Sequence, residues 1–405
     1  MFYRKNYFYP DLPKGYQISQ YEQPLARNGS LVILTSQGEK TIRIRRVHLE
    51  EDTGKTTHAG ATGRIAESDY ALEDYNRAGV PLVECVSEPD IRSPEEARAY
   101  LTELRALLRA LGVSDVKMEE GSLRCDANIS VRPEGHPEYG TKVEIKNMNS
   151  IRSVERALAY EAERQVAALE AGETLVQETR HWDEDAGATS SMRSKEEAFD
   201  YRYFPDPDLV PLEPGEAWVE EIRAALPELP AAVRARLEAG GLSPALAAQI
   251  VGSGWAAFLE EAVELGAEPV AAANWMAGDI AGLLNEAGVD LEESKLTPRH
   301  LADLVRLQSE GTIGSAQGKQ ALAEAFTGGG AIPSIVEEKG LAQISDASEL
   351  GGIVDGVIAE NPGPVEQFRG GKEGVIGFLV GQVMKKSKGA ANPQEAQRLL
   401  RERLA

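Results

Sequence analysis

The sequence predicts an α+β fold in which a part that mixes strands and helices precedes a part made of helices. Three observations support this. Short stretches of alternating apolar and polar residues, typical of strands, continue to about Leu212. The proline-rich stretch 204–214 then interrupts the pattern, and the residues after it are rich in Ala, Leu and Glu at helical spacing. We therefore expect three domains, at 1–213, 214–337 and 338–405.

Two helices are predicted among the strands of the first domain. The first follows Ser93-Pro94-Glu95-Glu96, which offers an N-cap, a proline at the first helical position and a capping-box glutamate, and it ends at Gly112. The second is predicted from Ser150 to Ala171 by an apolar stripe at helical spacing. The strands are expected at 30–35, 40–46, 128–132 and 142–145.

Beyond residue 214 the spacing of apolar residues predicts a series of helices. One starts near Thr297-Pro298, and short helices fill the tail. The paired glycines Gly351-Gly352 are interpreted as a break between helices. The earlier helices are expected at 217–226, 230–239, 243–251, 255–265 and 269–286.

The charge of the chain excludes a general nucleic-acid-binding protein. Among 405 residues, 65 Asp and Glu outnumber 43 Lys and Arg, which gives a formal charge of −22. The segment 361–405 is the exception, because its eight Lys and Arg face four Glu, a balance of +4. It could contact RNA, or its cations could simply favour helix C-termini.

The two cysteines, Cys85 and Cys125, fit neither a disulfide framework nor a zinc site, because no CxxC spacing or matching histidines accompany them. No apolar run approaches the length of a membrane span, and the polar start is unlike a signal peptide. We expect a cytoplasmic protein. Nor does the sequence contain a nucleophile motif of a hydrolase, and each of its five scattered histidines is interpreted as structural.

Three consecutive acids, Glu50-Glu51-Asp52, follow a predicted strand and precede a glycine turn. Like charges this close repel unless solvent or a cation screens them, and Mg²⁺ takes carboxylate oxygens while bridging substrate phosphates. The alternative is a solvated acidic turn. Glu84 stands alone in an apolar strand-like run, where an ionised carboxylate is costly unless it binds metal or pairs with an arginine.

A nucleotide would have to be held without a known loop motif. Gly54-Lys55-Thr56 is not a Walker loop, because Leu49 stands where the first glycine belongs, and no dinucleotide fingerprint is present. Two polar stretches, 117–128 and 144–150, could instead line a cleft, although a solvated sheet face would give the same pattern. The candidate cofactor-binding residues are Lys55, Glu120, Arg124, Lys146 and Asn147.

Several long motifs occur in the order found in one family. The sequence resembles the B subunits of aspartyl/glutamyl-tRNA(Asn/Gln) amidotransferases, and the resemblance spans nearly all of the chain. The motifs are Arg4-Lys5-Asn6-Tyr7-Phe8-Tyr9-Pro10-Asp11, His48-Leu49-Glu50-Glu51-Asp52, Asn76-Arg77-Ala78-Gly79-Val80-Pro81-Leu82, Met118-Glu119-Glu120-Gly121-Ser122-Leu123-Arg124-Cys125-Asp126-Ala127-Asn128 and Asp200-Tyr201-Arg202-Tyr203-Phe204-Pro205.

The resemblance implies an antiparallel-sheet cradle that carries the catalytic site, followed by a helical domain and a small helical tail domain. It implies an ATP- and Mg²⁺-dependent ligase that phosphorylates the side-chain carboxylate of Glu-tRNA(Gln) or Asp-tRNA(Asn). Ammonia released from glutamine then displaces the phosphate. The implied partners are the A and C subunits of a heterotrimer, of which the first is an amidase and the second is small. The misacylated tRNA and the cognate aminoacyl-tRNA synthetase are implied as well.

Site residues carry over from the family by motif. Glu51 and Glu84 become the expected Mg²⁺ ligands, supported by Glu50 and Asp52. Lys5 and Lys14 become candidates for a polar ammonia path, and these two lysines, Glu51 and Glu84 are the expected catalytic residues. Basic residues of the tail are expected to grip tRNA, namely Lys385, Lys386 and Lys388.

The sequence departs from the family at its start. Family members begin several dozen residues earlier, with a Glu-Val-His motif that contributes metal ligands, and this chain starts after that motif. A second hypothesis follows, in which the chain is a non-catalytic scaffold that binds tRNA.

Overall fold

The computed structural model of the protein describes residues 1–59, 70–194, 201–343, 347–387 and 390–404. The chain divides into two compact units, Met1–Leu229 and Pro230–Ala405. The second unit contains two hydrophobic clusters, one between Leu237 and Val336 and one between Leu350 and Leu404. The finer division into three domains stays a prediction.

The first unit is built on two sheets and a hairpin, as the predicted α+β class requires. Its strands are β1 (Tyr3–Asn6), β2 (Tyr16–Ser19), β3 (Ala26–Thr35), β4 (Gly38–Glu51), β5 (Lys55–Ala59), β6 (Tyr70–Asp74), β7 (Pro81–Ser87), β8 (Ala127–Ile129), β9 (Val143–Lys146), β10 (Glu178–Asp183), β11 (Ala188–Ser194) and β12 (Phe204–Pro205). The larger sheet has the order β12-β1-β2-β4-β3, with β7 also paired to β4, and all of its pairs are antiparallel.

The second sheet has the order β11-β10-β9-β8, and its β9–β10 pair is parallel. Strands β5 and β6 form a separate antiparallel hairpin. The predicted strand at 128–132 is shorter than expected, because β8 ends at Ile129 and the Arg132 guanidinium donates to the Pro137 carbonyl in the turn that follows.

Both helices predicted for the first domain form as expected. Helix α1 (Pro94–Ala110) is capped by Ser93, which accepts from the Glu96 amide, and α2 (Ile151–Glu170) is capped by Ser150. Their apolar faces pack on the sheets. The core they share includes Ile33, Ile42, Leu101, Ile145, Val154 and Trp182, all buried.

After β12, the first unit ends with helix α3 (Glu216–Ala225). The helices of the second unit are α4 (Pro230–Ala239), α5 (Pro244–Gly252), α6 (Ala256–Glu264), α7 (Pro269–Trp275), α8 (Ala281–Ala287), α9 (Pro298–Ser309), α10 (Ser315–Gly328), α11 (Ile332–Glu338), α12 (Ala347–Glu360), α13 (Pro362–Arg369), α14 (Ile376–Lys386) and α15 (Pro393–Leu404). In the described parts of the chain, none of these helices is long and apolar enough to cross a membrane.

One prediction for the second unit was incomplete and another was wrong. The helix expected at 269–286 forms, but a π-helical turn within it, Met276–Ile280, separates α7 from α8, and a spacing rule does not predict this wider hydrogen bonding. Gly351 and Gly352 do not break a helix but lie inside α12. Glycine weakens a helix by only about 1 kcal/mol, which the packing of Leu350 and Val354 can outweigh.

Candidate functional site

Three side chains that could share a metal ion meet on one face of the larger sheet. They are His48 and Glu50 of β4 and Glu84 of β7. Side chains two apart on a strand point the same way, and β4 and β7 pair so that His48 lies opposite Glu84. His48 Nε2 is 3.1 Å from Glu50 Oε1 and 3.7 Å from Glu84 Oε2. The strand register therefore assembles the cluster.

His48 is the buried member of this cluster. Its side chain is fully buried, and the Tyr21 ring lies nearly perpendicular to it, with the ring centres 6.5 Å apart. Its Nε2 faces the two carboxylates, while its Nδ1 has no partner among the described residues. The imidazole is therefore fixed by packing and by its contacts with the acids.

Glu50 is held ionised by its neighbours. Ser19 Oγ donates to Glu50 Oε1 at 2.8 Å, and Gln17 Nε2 donates to Oε2 at 3.3 Å. Burial alone would raise the pKa of the Glu50 carboxyl. Hydrogen bonds from His48 and Ser19 and the charge of Lys5 outweigh burial, so this pKa lies below its ordinary value. The carboxylate is thus ready to accept a cation.

Glu84 is not the buried acid that its apolar surroundings predicted. Its side chain is 48% exposed, so solvent rather than a partner removes most of the cost of its charge. The prediction failed because β7 is covered on only part of its length, and Val83 beside it is exposed as well. The exposure leaves one side of the cluster open to a substrate.

Tyrosines and a lysine stand beside the carboxylates. Tyr21 stacks on Tyr203 with ring centroids 5.4 Å apart, and Tyr201 makes edge contacts with Tyr203 and Tyr7. Lys5 Nζ lies 4.8 Å from the centre of the Tyr201 ring. Burial, followed by the charges of Asp11 and Glu50, raises the pKa of Tyr7 to about 12, and burial beside Glu50 raises the pKa of Tyr203 as well.

The four predicted metal ligands do not all converge. Glu50 and Glu84 lie in the cluster, but the Glu51 carboxylate pairs with the Lys14 ammonium and accepts from the Ile18 amide at 2.9 Å. Asp52 is buried between two guanidinium groups, Arg124 at 2.7 Å and Arg77 at 3.1 Å. Lys14 also lies 4.7 Å from the centre of the Tyr16 ring.

Most of the predicted cofactor-binding residues have polar partners within the chain. Arg124 neutralises Asp52, and Glu120 pairs with Lys117 at 3.2 Å. On the second sheet, Lys146 pairs with Asp126 and lies 3.7 Å from Glu144.

Asn147 follows Lys146 and has a left-handed backbone (φ 68°). Its side-chain Nδ2 lies 3.3 Å from His181 Nε2 and 3.3 Å from the Trp182 carbonyl oxygen. Lys55 begins β5, opposite Asp74. These five residues contact different neighbours, and their role in holding a nucleotide stays a prediction.

Ion pairs reduce the free positive charge of the tail. Lys386 pairs with Glu360 at 2.6 Å, and Arg398, Arg401 and Arg403 also have acidic partners. Lys385 is exposed, and the described residues offer it no ion pair. Lys388 lies outside the described residues.

Sequence reasoning missed His48, which it took as structural, together with Ser19 and Gln17. One signal was available, since His48 and Glu50 stand two residues apart in a predicted strand and therefore share a face. Ser19 and Gln17 carry no such signal. Their contacts to Glu50 come from the pairing of β2 with β4, where Ser19 lies opposite Glu50.

Comparisons with known proteins give a consistent result. The family described as the GatB/GatE catalytic domain matches residues 1–220, and the family described as the GatB domain matches residues 257–404. Three similar proteins are each named as the B subunit of an aspartyl/glutamyl-tRNA(Asn/Gln) amidotransferase. They come from Moorella thermoacetica (53% identical, 100% of this chain and 84% of the relative), Carboxydothermus hydrogenoformans (52%, 100% and 84%) and Synechococcus sp. (52%, 100% and 83%).

Proposed function

The chain belongs to the GatB/GatE family as a B subunit of the aspartyl/glutamyl-tRNA(Asn/Gln) amidotransferase, and on that premise we propose its chemistry. The protein uses ATP to activate the side-chain carboxylate of Glu or Asp on a misacylated tRNA, and ammonia converts the activated group to an amide. The observation that carries the proposal is the cluster of His48, Glu50 and Glu84 on the open face of the sheet.

The donor set of this cluster fits a magnesium ion. Mg²⁺ prefers oxygen ligands and is held in phosphate-processing sites by one or two carboxylates while it keeps several waters. Glu50 and Glu84 would hold it, and His48 Nε2, 3.1 Å from Glu50 Oε1, orients that carboxylate. When bound, the ion neutralises charge on the phosphates of ATP.

The reaction has two displacements, neither of which needs a covalent protein nucleophile. In the first, a carboxylate oxygen of the aminoacyl group attacks the γ-phosphorus of ATP, and ADP leaves. In the second, the ammonia nitrogen attacks the acyl carbon, the bond from that carbon to the phosphate oxygen breaks, and a proton is lost. The protein acts by positioning the reactants and by compensating charge.

We propose that Lys5 and Lys14 line the route of ammonia. Both ammonium groups lie against tyrosine rings, of Tyr201 and Tyr16 respectively, and Lys14 also pairs with Glu51. Its pairing with Lys14 supports a role for Glu51 on this route rather than as a metal ligand. The Lys5 charge acts on Glu50, which links this route to the carboxylate cluster.

The remaining candidates have weaker support. The two ion pairs of Asp52 with Arg77 and Arg124 favour a structural role over metal binding. Lys55, Glu120, Arg124, Lys146 and Asn147 remain proposed nucleotide contacts, and exposure of several of them is the supporting observation. The proposed partners are an amidase, a small third protein of the complex, the tRNA and its synthetase.

The proposed function is tested by reconstituting the chain with its partner subunits and supplying Glu-tRNA(Gln) or Asp-tRNA(Asn). We expect the amidated aminoacyl-tRNA to appear only when ATP, Mg²⁺, ammonia and the misacylated tRNA are all present, with at least one ADP released for each amide formed. Correctly acylated Gln-tRNA(Gln) is the control and should release no ADP. Tight tRNA binding without any ADP would instead support the scaffold hypothesis.

Lysines of the tail provide a separate prediction about tRNA. Lys385→Glu should weaken tRNA binding roughly threefold or more, because it reverses a positive charge that would lie near a phosphate. It should also lower the slope of the logarithm of the binding constant against the logarithm of the salt concentration. Lys386→Glu should reduce the affinity for tRNA less, since Glu360 already compensates the charge of Lys386. Lys339→Glu, whose lysine pairs with Glu324, is the control. Equal, unchanged salt slopes for all three variants in filter-binding titrations would contradict the assignment.

A further inference from the structure

Helix α3 presents an apolar face that the described residues of the first unit leave uncovered. Every residue from 207 to 229 is exposed, and α3 contributes no buried side chain. Trp218 is 51% exposed and Ile222 is 47% exposed, and Val219 and Leu226 are exposed beside them. With 3.6 residues per turn, Trp218, Val219 and Ile222 fall on one stripe of the helix, and Leu226 follows directly at its C-terminal end.

The opposite side of α3 is acidic. Glu216, Glu220 and Glu221 flank the apolar stripe, and Arg223 is the one cation within the helix, paired to Glu220 at 2.8 Å. Contiguous apolar surface bordered by polar groups marks an interaction site. The acids disfavour tRNA phosphates and anionic lipid headgroups as the occupant, so the partner is a protein.

The length of α3 also indicates a missing partner. Isolated helices shorter than about 12–15 residues are only marginally stable in water, because the first helical turn is unfavourable to form. In proteins, the packing of an apolar face contributes most of the stability of a helix. Helix α3 has 10 residues, and its N-cap Gly215 makes no side-chain hydrogen bond. A helix this short that buries none of its own residues needs a covering surface to persist.

We propose that the apolar face of α3 docks into another subunit of the amidotransferase, at an apolar groove rimmed by lysine or arginine side chains. The proposal rests on the proposed function only in that it assumes a multisubunit enzyme. Trp218 and Ile222 are the anchors of the contact, since large aromatic and aliphatic side chains contribute most to such interfaces. The glutamates set the orientation by pairing with the basic rim.

The test measures the affinity of the full chain for its partner subunits. We expect Trp218→Ala combined with Ile222→Ala to weaken assembly at least tenfold. Glu216→Lys with Glu221→Lys should weaken assembly as well, and more strongly at low salt. The matched control is Val166→Ala with Leu169→Ala, two side chains of α2 that are each 44% exposed. This pair should change the affinity less than threefold.

Three results would overturn the proposal. If the variant with Trp218→Ala and Ile222→Ala binds the partner subunits with unchanged affinity, the face is not a docking site. A clear fall in the melting temperature of the variant chain alone would show that its own residues cover the face. Self-association of the chain that the alanine pair abolishes, with the affinity for the partner subunits intact, would assign the face to a second copy. Assembly that depends on α3 but releases no ADP would contradict the proposed function and leave the docking site standing.

Discussion

Replacing Glu50 or Glu84 with glutamine should lower the rate of ATP-dependent amidation at least a hundredfold in the reconstituted enzyme. Each substitution keeps the shape of the side chain and removes one of the two carboxylates that would hold Mg²⁺. Charge compensation at the transferring phosphoryl group is the largest contribution expected in such a site, and losing one preorganised group typically costs about 10²–10³ in rate. The measurement is the single-turnover rate of amide formation over a range of Mg²⁺ concentrations.

The same experiment distinguishes the ligands inferred from resemblance from those that the structure assembles. Glu51→Gln should reduce the rate less than Glu84→Gln and should leave its Mg²⁺ dependence unchanged, because Glu51 pairs with Lys14 outside the cluster. Its defect should appear when glutamine, rather than added ammonia, supplies nitrogen. Glu88→Gln, which affects the acid directly after β7 that pairs with Arg45, is the matched control.

Two outcomes would contradict this assignment. Normal turnover in both Glu50→Gln and Glu84→Gln would exclude the cluster as the metal site. A shift in Mg²⁺ dependence for Glu51→Gln as large as that for Glu84→Gln would return Glu51 to the ligand set. A defect of Glu51→Gln that appears with glutamine but not with added ammonia would support its place on the ammonia route.

Most of the fold could be predicted because local rules determine it. Ser93 and Ser150 cap α1 and α2 as their motifs predicted, and the change of composition after residue 214 marks where strands stop. The failures involve longer-range packing. Neither the π-helical turn at Met276–Ile280 nor the helical state of Gly351 follows from spacing, since each depends on what the neighbouring helices cover.

The site was less predictable because strand pairing assembles it. Glu50 could be singled out as an acid, but nothing local shows that it faces Ser19 on β2 and shares a face with Glu84 on β7. The Glu51 carboxylate pairs with Lys14 instead, although Glu51 directly follows Glu50 in the sequence. Acid-rich motifs therefore identify the region, whereas the sheet selects the residues within it.

A buried carboxylate far from this cluster should have the largest effect on stability. Glu161 of α2 is fully buried, and Arg164 donates to it at 2.6 and 2.9 Å, Gln165 at 3.0 Å and Thr189 at 2.8 Å. Arg180 lies 3.4 Å away and is mostly buried. Glu161→Ala should lower the free energy of unfolding by about 3 kcal/mol, because Arg164 and the other donors lose the buried carboxylate that they bond. Urea denaturation at pH 7 measures this.

The pH dependence of that loss gives an independent check. Burial alone would raise the pKa of Glu161, but the hydrogen bonds from Arg164, Gln165 and Thr189 outweigh it and lower this pKa below its ordinary value. A lowered pKa in the folded state means that the ionised group stabilises the fold above its unfolded pKa of about 4.3, and that this contribution is lost as the pH falls through the folded value. The difference in free energy of unfolding between the wild type and Glu161→Ala should therefore become smaller below about pH 4.

The control is Glu155→Ala on the same helix, because the Glu155 carboxylate pairs with the half-exposed Arg98. This variant should lower the free energy of unfolding by less than about 1 kcal/mol, both at pH 7 and below pH 4. Equal losses for the two variants would mean that the Glu161 network stabilises the fold no more than a surface ion pair does.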